Sequence, residues 1–596
     1  MSIRPTPNTT LRPLRDHSAD RRMIILAAAA IVIGAGAAGG AWVLIKLIAI
    51  ATNLFWFARL SIAAVDPVDA HVGLLVVLIP VIGSLMIGLM ARYGSDKIKG
   101  HGIPEAIEAI LYGESRLSLK VAILKPLSSA ISIGSGGPFG AEGPIIMTGG
   151  AIGSLFAQRF HMTAAERKTL LVAGAAAGMT GIFGTPLAAI LLAIEVLLFE
   201  WKPRSFVPVA VAVLVAIAVR PFLLGAGPLF PFAAVPVVAF WETGALALGL
   251  GMVLGVEATI LSALLYRIED LFHHLPVHWM WWPAIGGLVV GLGGLIDAHV
   301  LGAGYGNIQA LLDGSLVARV VLALLVVKAV VWLVALGSGT SGGVLAPLLI
   351  LGGALGALAG QVLPGASGFW ALIGMAGILS GAMRAPLMGA IFVVELTGHF
   401  DALPSTIAAS AGAYAVSVLI MRRSILTEKI ARRGRHILQE YTVDALEFLQ
   451  AEQIMTHAPV CLPGGMSTRA AVDFFAETAE HRSYPVVDLY GHLLGLVSRS
   501  DALHWQVQGE LPDATLADAF SDASHPLAYP ATPIGVVADL MVATGIGRIP
   551  IVDPVSSKVV GILSRHDLLK ARSAGRRAEF DRHRGSASRL RQRRET

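Results

Sequence analysis

Nine apolar runs, each close to the length that crosses the ~30 Å hydrocarbon core of a bilayer, restrict the fold of this 596-residue chain more than any other feature. They lie at about residues 24–51, 73–91, 205–225, 243–263, 280–298, 317–336, 344–363, 368–396 and 405–421. Hydrocarbon offers the backbone no water, so a spanning segment is a helix or part of a closed barrel. These runs are continuous rather than alternating, which selects helices. With 55% hydrophobic and 14% charged residues, the expected fold is an all-α polytopic membrane domain. The first run is too long and starts too far inside to read as a cleaved signal peptide. The single cysteine, Cys461, excludes an intrachain disulfide framework and reads as a small buried apolar side chain.

Charge sets the expected orientation. Arg4, Arg12, Arg15, Arg21 and Arg22 outweigh Asp16 and Asp20 before the first run, and Arg422, Arg423, Lys429, Arg432, Arg433 and Arg435 follow the last. Positive flanks face the cytoplasm, which places both ends inside a multi-pass protein of the cell membrane. From Lys570 onward ten basic residues face three acidic ones. No aromatic or glycine motif accompanies them, so the tail reads as a solvated arm near anionic lipid rather than a nucleic-acid binder.

The apolar region is internally duplicated. Residues 134–158 align with 337–361 without a gap, identical at 11 of 25 positions. Gly181 to Glu195, containing Pro186, matches Gly381 to Glu395, containing Pro386. Gly100-His101-Gly102 matches Gly302-Ala303-Gly304. Offsets of 203, 200 and 202 keep the three pairs in one order. Inverted halves interrupted by Gly and Pro point to a transporter-like fold with its site at the repeat interface. Broken backbone at membrane depth is tolerated where it lines a cavity, so these segments read as helix N-termini aimed inward. Such ends carry unpaired N–H groups and partial positive charge, and the substrate they suit is a small anion. One copy differs in charge: Glu142 stands where the other has Leu345.

After residue 435 hydropathy drops, and a second duplication begins. Ser483–Asp488 matches Arg548–Asp553, and Gly495–Asp501 matches Gly561–Asp567. Each copy alternates short β-branched runs with an amphipathic helix, the pattern of a small α/β module.

Together these residues resemble the CLC family of chloride channels and chloride/proton exchangers, followed by a tandem pair of CBS domains. Gly100-His101-Gly102-Ile103-Pro104-Glu105 resembles the family's G-S-G-I-P segment. Gly140-Ala141-Glu142-Gly143-Pro144 resembles G-[KR]-E-G-P, and Gly343-Val344-Leu345-Ala346-Pro347 resembles G-x-F-x-P. The resemblance implies an anion path lined by these segments and by Leu426, and a homodimer with one pore per subunit. It also implies no required cofactor, with chloride or a similar small anion and protons as the transported species. Glu142 takes the place of the family's gating glutamate, a carboxylate that mimics the anion when charged and leaves when protonated. The expected boundaries are a basic tail (1–22), a CLC-type domain (23–435, halves about 23–225 and 240–435), a linker (436–450), CBS domains at 451–506 and 516–572, and a basic tail (573–596). In the CBS pair, Ser498 with Asp501 and Ser564 with Asp567 match positions that contact adenine nucleotides; the same pattern caps a helix in copies that bind nothing.

Four positions depart from the family pattern. His101 replaces a serine whose hydroxyl donates to the anion. Val196 replaces the second of two paired glutamates, the one that relays protons inward, while Glu195 keeps the first and reads as structural. Leu426 falls where an inner tyrosine is usual, and Ala141 removes a basic neighbour of Glu142. These changes favour channel-like or weakly proton-coupled flow, with CBS regulation, over a stoichiometric chloride/proton antiporter. The chain is not expected to be an enzyme. Gly339-Thr340-Ser341-Gly342 satisfies an intramembrane serine protease pattern, but only His101 offers itself as base. A CBS-regulated cation channel would need converging carboxylates, which this region lacks.

Overall fold

The computed structural model describes residues 22–232, 240–435, 449–507, 514–520 and 525–573. The expected basic tails and most of the expected linker lie outside the described residues. The chain divides into a membrane unit (15–440) and a unit that begins at residue 441.

Among the described residues, the membrane unit is two rounds of eight helices. The first comprises α1 (Arg22–Phe57), α2 (Leu75–Tyr93), α3 (Ile103–Tyr112), α4 (Leu119–Gly134), α5 (Glu142–Arg159), α6 (Ala164–Phe183), α7 (Pro186–Leu192) and α8 (Pro203–Leu223). The second comprises α9 (Phe240–His273), α10 (Trp282–Ile296), α11 (Tyr305–Leu312), α12 (Ala318–Gly337), α13 (Leu345–Ala359), α14 (Ser367–Met383), α15 (Pro386–Thr397) and α16 (Leu403–Ile420). The short α17 (Thr427–Arg432) closes the unit. Packing repeats with the helices: α5 lies on α6 as α13 lies on α14, and α1 meets α6 and α8 as α9 meets α14 and α16. The halves join where α2 meets α10 and α7 meets α15.

Seven helices among the described residues are long and apolar enough to cross a membrane. The expected runs 344–363 and 368–396 instead become three shorter helices, α13, α14 and α15. The second of these runs breaks at Arg384, whose φ of +58° stops α14, and Pro386 then opens α15. The equivalent stop between α6 and α7 is Gly184 at φ +70°. A glycine takes that left-handed turn at no steric cost. Arg384 holds it by donating to the carbonyls of Met421 and Arg422. Helices α5, α6, α13 and α14 are buried along nearly their whole length, which suits their Gly- and Ala-rich sequences to close helix contacts.

The C-terminal unit holds two three-stranded sheets, built from β1 (Thr456–His457), β2 (Leu462–Pro463), β3 (Ser483–Val487), β4 (Leu493–Ser498), β5 (Arg548–Val552) and β6 (Val559–Ser564). Their orders are β2-β3-β4 and β1-β6-β5. The copies exchange their leading segments. Ala451 and Met455 pack in the core of the second copy, with Ile534, Ile551 and Leu563, and β1 pairs with β6. In return Leu516 packs with Leu462, Val486 and Val497 of the first. Each copy therefore lacks a complete core by itself, which makes the pair one folding unit.

Candidate anion site

The two glycine-rich copies meet head to head. Gly343 N–H donates to Gly140 O at 2.9 Å in an antiparallel bridge, so the first turns of α5 and α13 face one point. Glu142 opens α5 and is fully buried there. Its Oε1 accepts from Ala346 N–H at 3.0 Å, in the first turn of α13, and its Oε2 has no partner. A Cβ at Gly140 or Gly343 would overlap this carboxylate. The two glycines thus leave the room that the acid occupies, and the carboxylate sits where an anion would meet the N–H groups that open α13.

A third helix start joins them. Gly102, at φ +88°, donates its N–H to Glu105 Oε2 at 3.0 Å and begins α3. Its loop lies so close to α5 that a Cβ at Gly143 would strike the carbonyl of His101, and one at Gly102 would crowd Gly143 O. Gly100 N–H donates to Thr340 O at 2.7 Å, fastening the loop to the strand of chain that leads into α13. The expected residues Gly100, His101, Gly102, Ile103, Pro104, Gly140, Gly143, Pro144, Gly343, Val344, Leu345, Ala346 and Pro347 are therefore brought into three adjoining, buried helix starts. Leu426 is buried as the residue before α17, and Lys429 of that helix pairs with Glu105 at 2.9 Å.

His101 is 3% exposed, and its Nδ1 has no hydrogen-bond partner. With Gly100, Met147 and Tyr266 it ends a cavity of about 570 Å³ whose wall carries Lys97, Lys99, Arg116, Lys429, Arg433 and Arg435. Asp96, Glu105, Glu108 and Glu269 also line it and offset part of this charge, Glu108 being held by Arg433 and Arg435. Such a basic funnel raises the local anion concentration at the mouth of the three helix starts.

Glu195 is turned away from this point. It accepts from the N–H groups of Leu387 (3.3 Å) and Met388 (2.9 Å), and Glu395 accepts from those of Leu187 (2.9 Å) and Ala188 (2.8 Å). Each acid caps the other half's Pro-led helix, the structural role read for the pair in the sequence. Val196 is buried in a π-turn that extends α7 over Ala193–Leu198.

Several groups escaped the sequence reading. Lys125, fully buried in α4, donates to Ile98 O and Gly100 O at 2.7 Å and to Ser341 Oγ at 3.1 Å. Its mate Lys328 in α12 donates to Val300 O (2.8 Å) and Gly302 O (3.0 Å). Their separation of 203 residues equals the repeat offset, a signal that was available. Lys125 spends its N–H groups on acceptors, so it has no free base to offer Ser341, and the protease pattern carries no nucleophile. Tyr266 of α9 is another. Its hydroxyl donates to Ile425 O at 2.5 Å, beside Leu426, and it lines the cavity.

In the C-terminal unit both Ser/Asp pairs close on themselves as helix caps. Ser498 donates to Asp501 Oδ2 from its N–H (2.8 Å) and hydroxyl (2.6 Å), and Ser564 donates to Asp567 at 2.9 and 2.6 Å.

The sequence profile of the voltage gated chloride channel family matches residues 82–418, and that of the CBS domain matches 451–508 and 524–574. A ClcB-like chloride channel protein of Ralstonia nicotianae is 29% identical over 398 residues, covering 65% of this chain and 88% of that protein. The voltage-gated ClC-type chloride channel ClcB of Escherichia coli is 30% identical over 371 residues, 60% of this chain and 87% of its own length. Among solved structures, a slow cyanobacterial Cl⁻/H⁺ antiporter superposes with TM-score 0.61 at 20% identity, over 70% of this chain and 99% of that one. A eukaryotic CLC transporter covers 92% of this chain and 98% of its own at TM-score 0.57, again with 20% identity. The family profile alone spans more than half the chain, and the protein belongs to the voltage gated chloride channel family: an anion transporter rather than an enzyme, with a C-terminal CBS pair.

Proposed function

We infer that this chain carries chloride or a similarly small anion along a path that Glu142 plugs, in a channel-like or weakly proton-coupled mode. One observation carries the reading: a buried carboxylate occupies the meeting point of the α5 and α13 N-termini and accepts the Ala346 N–H. Protonation removes the charge that those N–H groups hold, so protons and anions compete for one place. The weak-coupling part rests on three departures from the family pattern. Val196 supplies no carboxyl, Leu426 no hydroxyl and Ala141 no cation. The same reading makes the protein a homodimer of the cell membrane with both ends cytoplasmic, and gives the CBS pair a regulatory role with adenine nucleotide as its candidate ligand.

Paired anion and proton fluxes in proteoliposomes under a chloride gradient test the mode. The expected result is chloride flow that rises as pH falls, without a fixed proton count. Stoichiometric proton uptake, as in the antiporters the fold resembles, would replace the channel-like reading with tight exchange. Glu142→Ala is expected to keep anion flow and abolish its pH dependence.

A further inference from the structure

The second half has its own helix start, the counterpart of the one at His101. Gly302 and Gly304 are the mates of Gly100 and Gly102, and α11 is the mate of α3. The brace beneath it is also duplicated. Gly302 N–H donates to Gly136 O at 2.9 Å, and Lys328 holds the carbonyls of Val300 and Gly302 as Lys125 holds those of Ile98 and Gly100.

The first residue of the helix is where the mates part. Helix α3 opens with Ile103, whereas α11 opens with Tyr305. The Tyr305 hydroxyl oxygen is buried and has no hydrogen-bond partner. Its electrostatic neighbours are the Glu142 carboxylate and the Ala141 backbone N–H, which comes near without reaching hydrogen-bond geometry. Glu142 Oε2 is likewise buried and unpartnered. A buried O–H donor and a buried carboxylate oxygen, each without a hydrogen-bond partner, thus lie within electrostatic reach of one another, and buried groups of this kind are seldom left unpaired without a use. The charged groups around this end are committed elsewhere. Lys328 holds two carbonyls, Asp66 accepts from Val68 N–H at 3.2 Å, and Asp297 accepts from His299 at its N–H (3.0 Å) and Nδ1 (2.7 Å).

We propose that the Tyr305 hydroxyl and the opening turn of α11 form a cradle that receives the Glu142 carboxylate when it leaves the anion site. The proposal rests on the reading of Glu142 as the plug. Tyr305 acts through Glu142 and is a positioning residue. With the cradle present, a charged carboxylate has a partner outside the site and yields to the anion part of the time. Without it, the charged carboxylate returns to the α13 N-terminus, and opening waits for protonation.

Tyr305→Phe keeps the ring and removes the donor. In proteoliposomes its chloride flux at alkaline pH is expected to fall about tenfold, the worth of one hydrogen bond to a charged group, while flux at acid pH is unchanged. In a Glu142→Ala background the same substitution should alter neither flux. A wild-type pH profile, a uniform loss at every pH, or an equal loss in the Glu142→Ala background would each overturn the cradle. A Glu142→Ala protein that by itself keeps the pH dependence would overturn the plug on which the cradle rests.

Discussion

The two halves of the membrane unit share their frame and differ at their tips. Lys125 and Lys328 hold equivalent carbonyls, and Glu195 and Glu395 cap one another's helices. At the tips, Glu142 faces Leu345 across the repeat, His101 answers Ala303, and Ile103 answers Tyr305. The frame groups satisfy backbone that membrane depth leaves without water, a requirement that both halves meet alike. On the proposed function the tip groups meet the anion, and a path with a plug on one wall needs only one plug. Duplication therefore preserved what holds the broken helices and released what touches the substrate.

The glycines at the tips give the largest expected effect. The three atoms nearest a Cβ at Gly140 all belong to the carboxylate of Glu142, the far end of a flexible side chain, whereas one at Gly343 would also meet the backbone of Gly140. Gly140→Ala should therefore expel the plug with little damage to the frame. Chloride flux in liposomes should become pH-independent, matching Glu142→Ala, and an unchanged pH profile would show that the carboxylate does not need this space. Gly343→Ala, its mate, should instead strain the bridge between the halves and lower the amount of folded protein.

The frame lysines come next. Replacing Lys125 with Met leaves the Ile98 carbonyl buried without its partner and the Gly100 carbonyl with only the Gly342 N–H at 3.5 Å, at a cost on the order of 3 kcal/mol. Lys328→Met strands two carbonyls in the same way, but Lys125 also loses Ser341 Oγ. Thermal unfolding in detergent should show both variants destabilised and Lys125→Met the more so. Equal stability with the unchanged protein would mean that water or a lipid headgroup reaches these carbonyls.

How much of this was legible in the sequence follows the same division. The tips were readable because glycine, proline and a lone carboxylate are conspicuous in an apolar chain, and the repeat offsets placed them opposite one another. Long lipid-facing helices were readable because their composition meets hydrocarbon directly. Helices α4, α5 and α6 were not among the apolar runs, since Gly, Ala, Ser and charged residues such as Lys125, Glu142 and Arg167 dilute their hydropathy. Tyr305 and Tyr266 were silent for another reason. Each sits in an ordinary helical context, and only the fold shows that one hydroxyl is buried without a partner and the other donates to the chain before Leu426. The exchange of leading segments between the CBS copies was equally hidden, because a duplicated pattern does not say which core each copy enters.

The reciprocal caps offer the finest test of the comparison. Glu395 accepts its two N–H groups at 2.9 and 2.8 Å, and Glu195 accepts at 3.3 and 2.9 Å. A carboxylate at a helix start is worth about 1–2 kcal/mol through its hydrogen bonds and the helix dipole together. Glu395→Ala and Glu195→Ala should each lower stability in detergent by that amount, with the tighter cap, Glu395, costing more. Neither acid reaches the α5–α13 meeting point, so the pH dependence of chloride flux should survive both changes. A shift in the pH profile for Glu195→Ala alone would mean that the first-half acid has left the frame and joined the tips. The two halves would then differ at a place where each acid caps the equivalent helix start of the other.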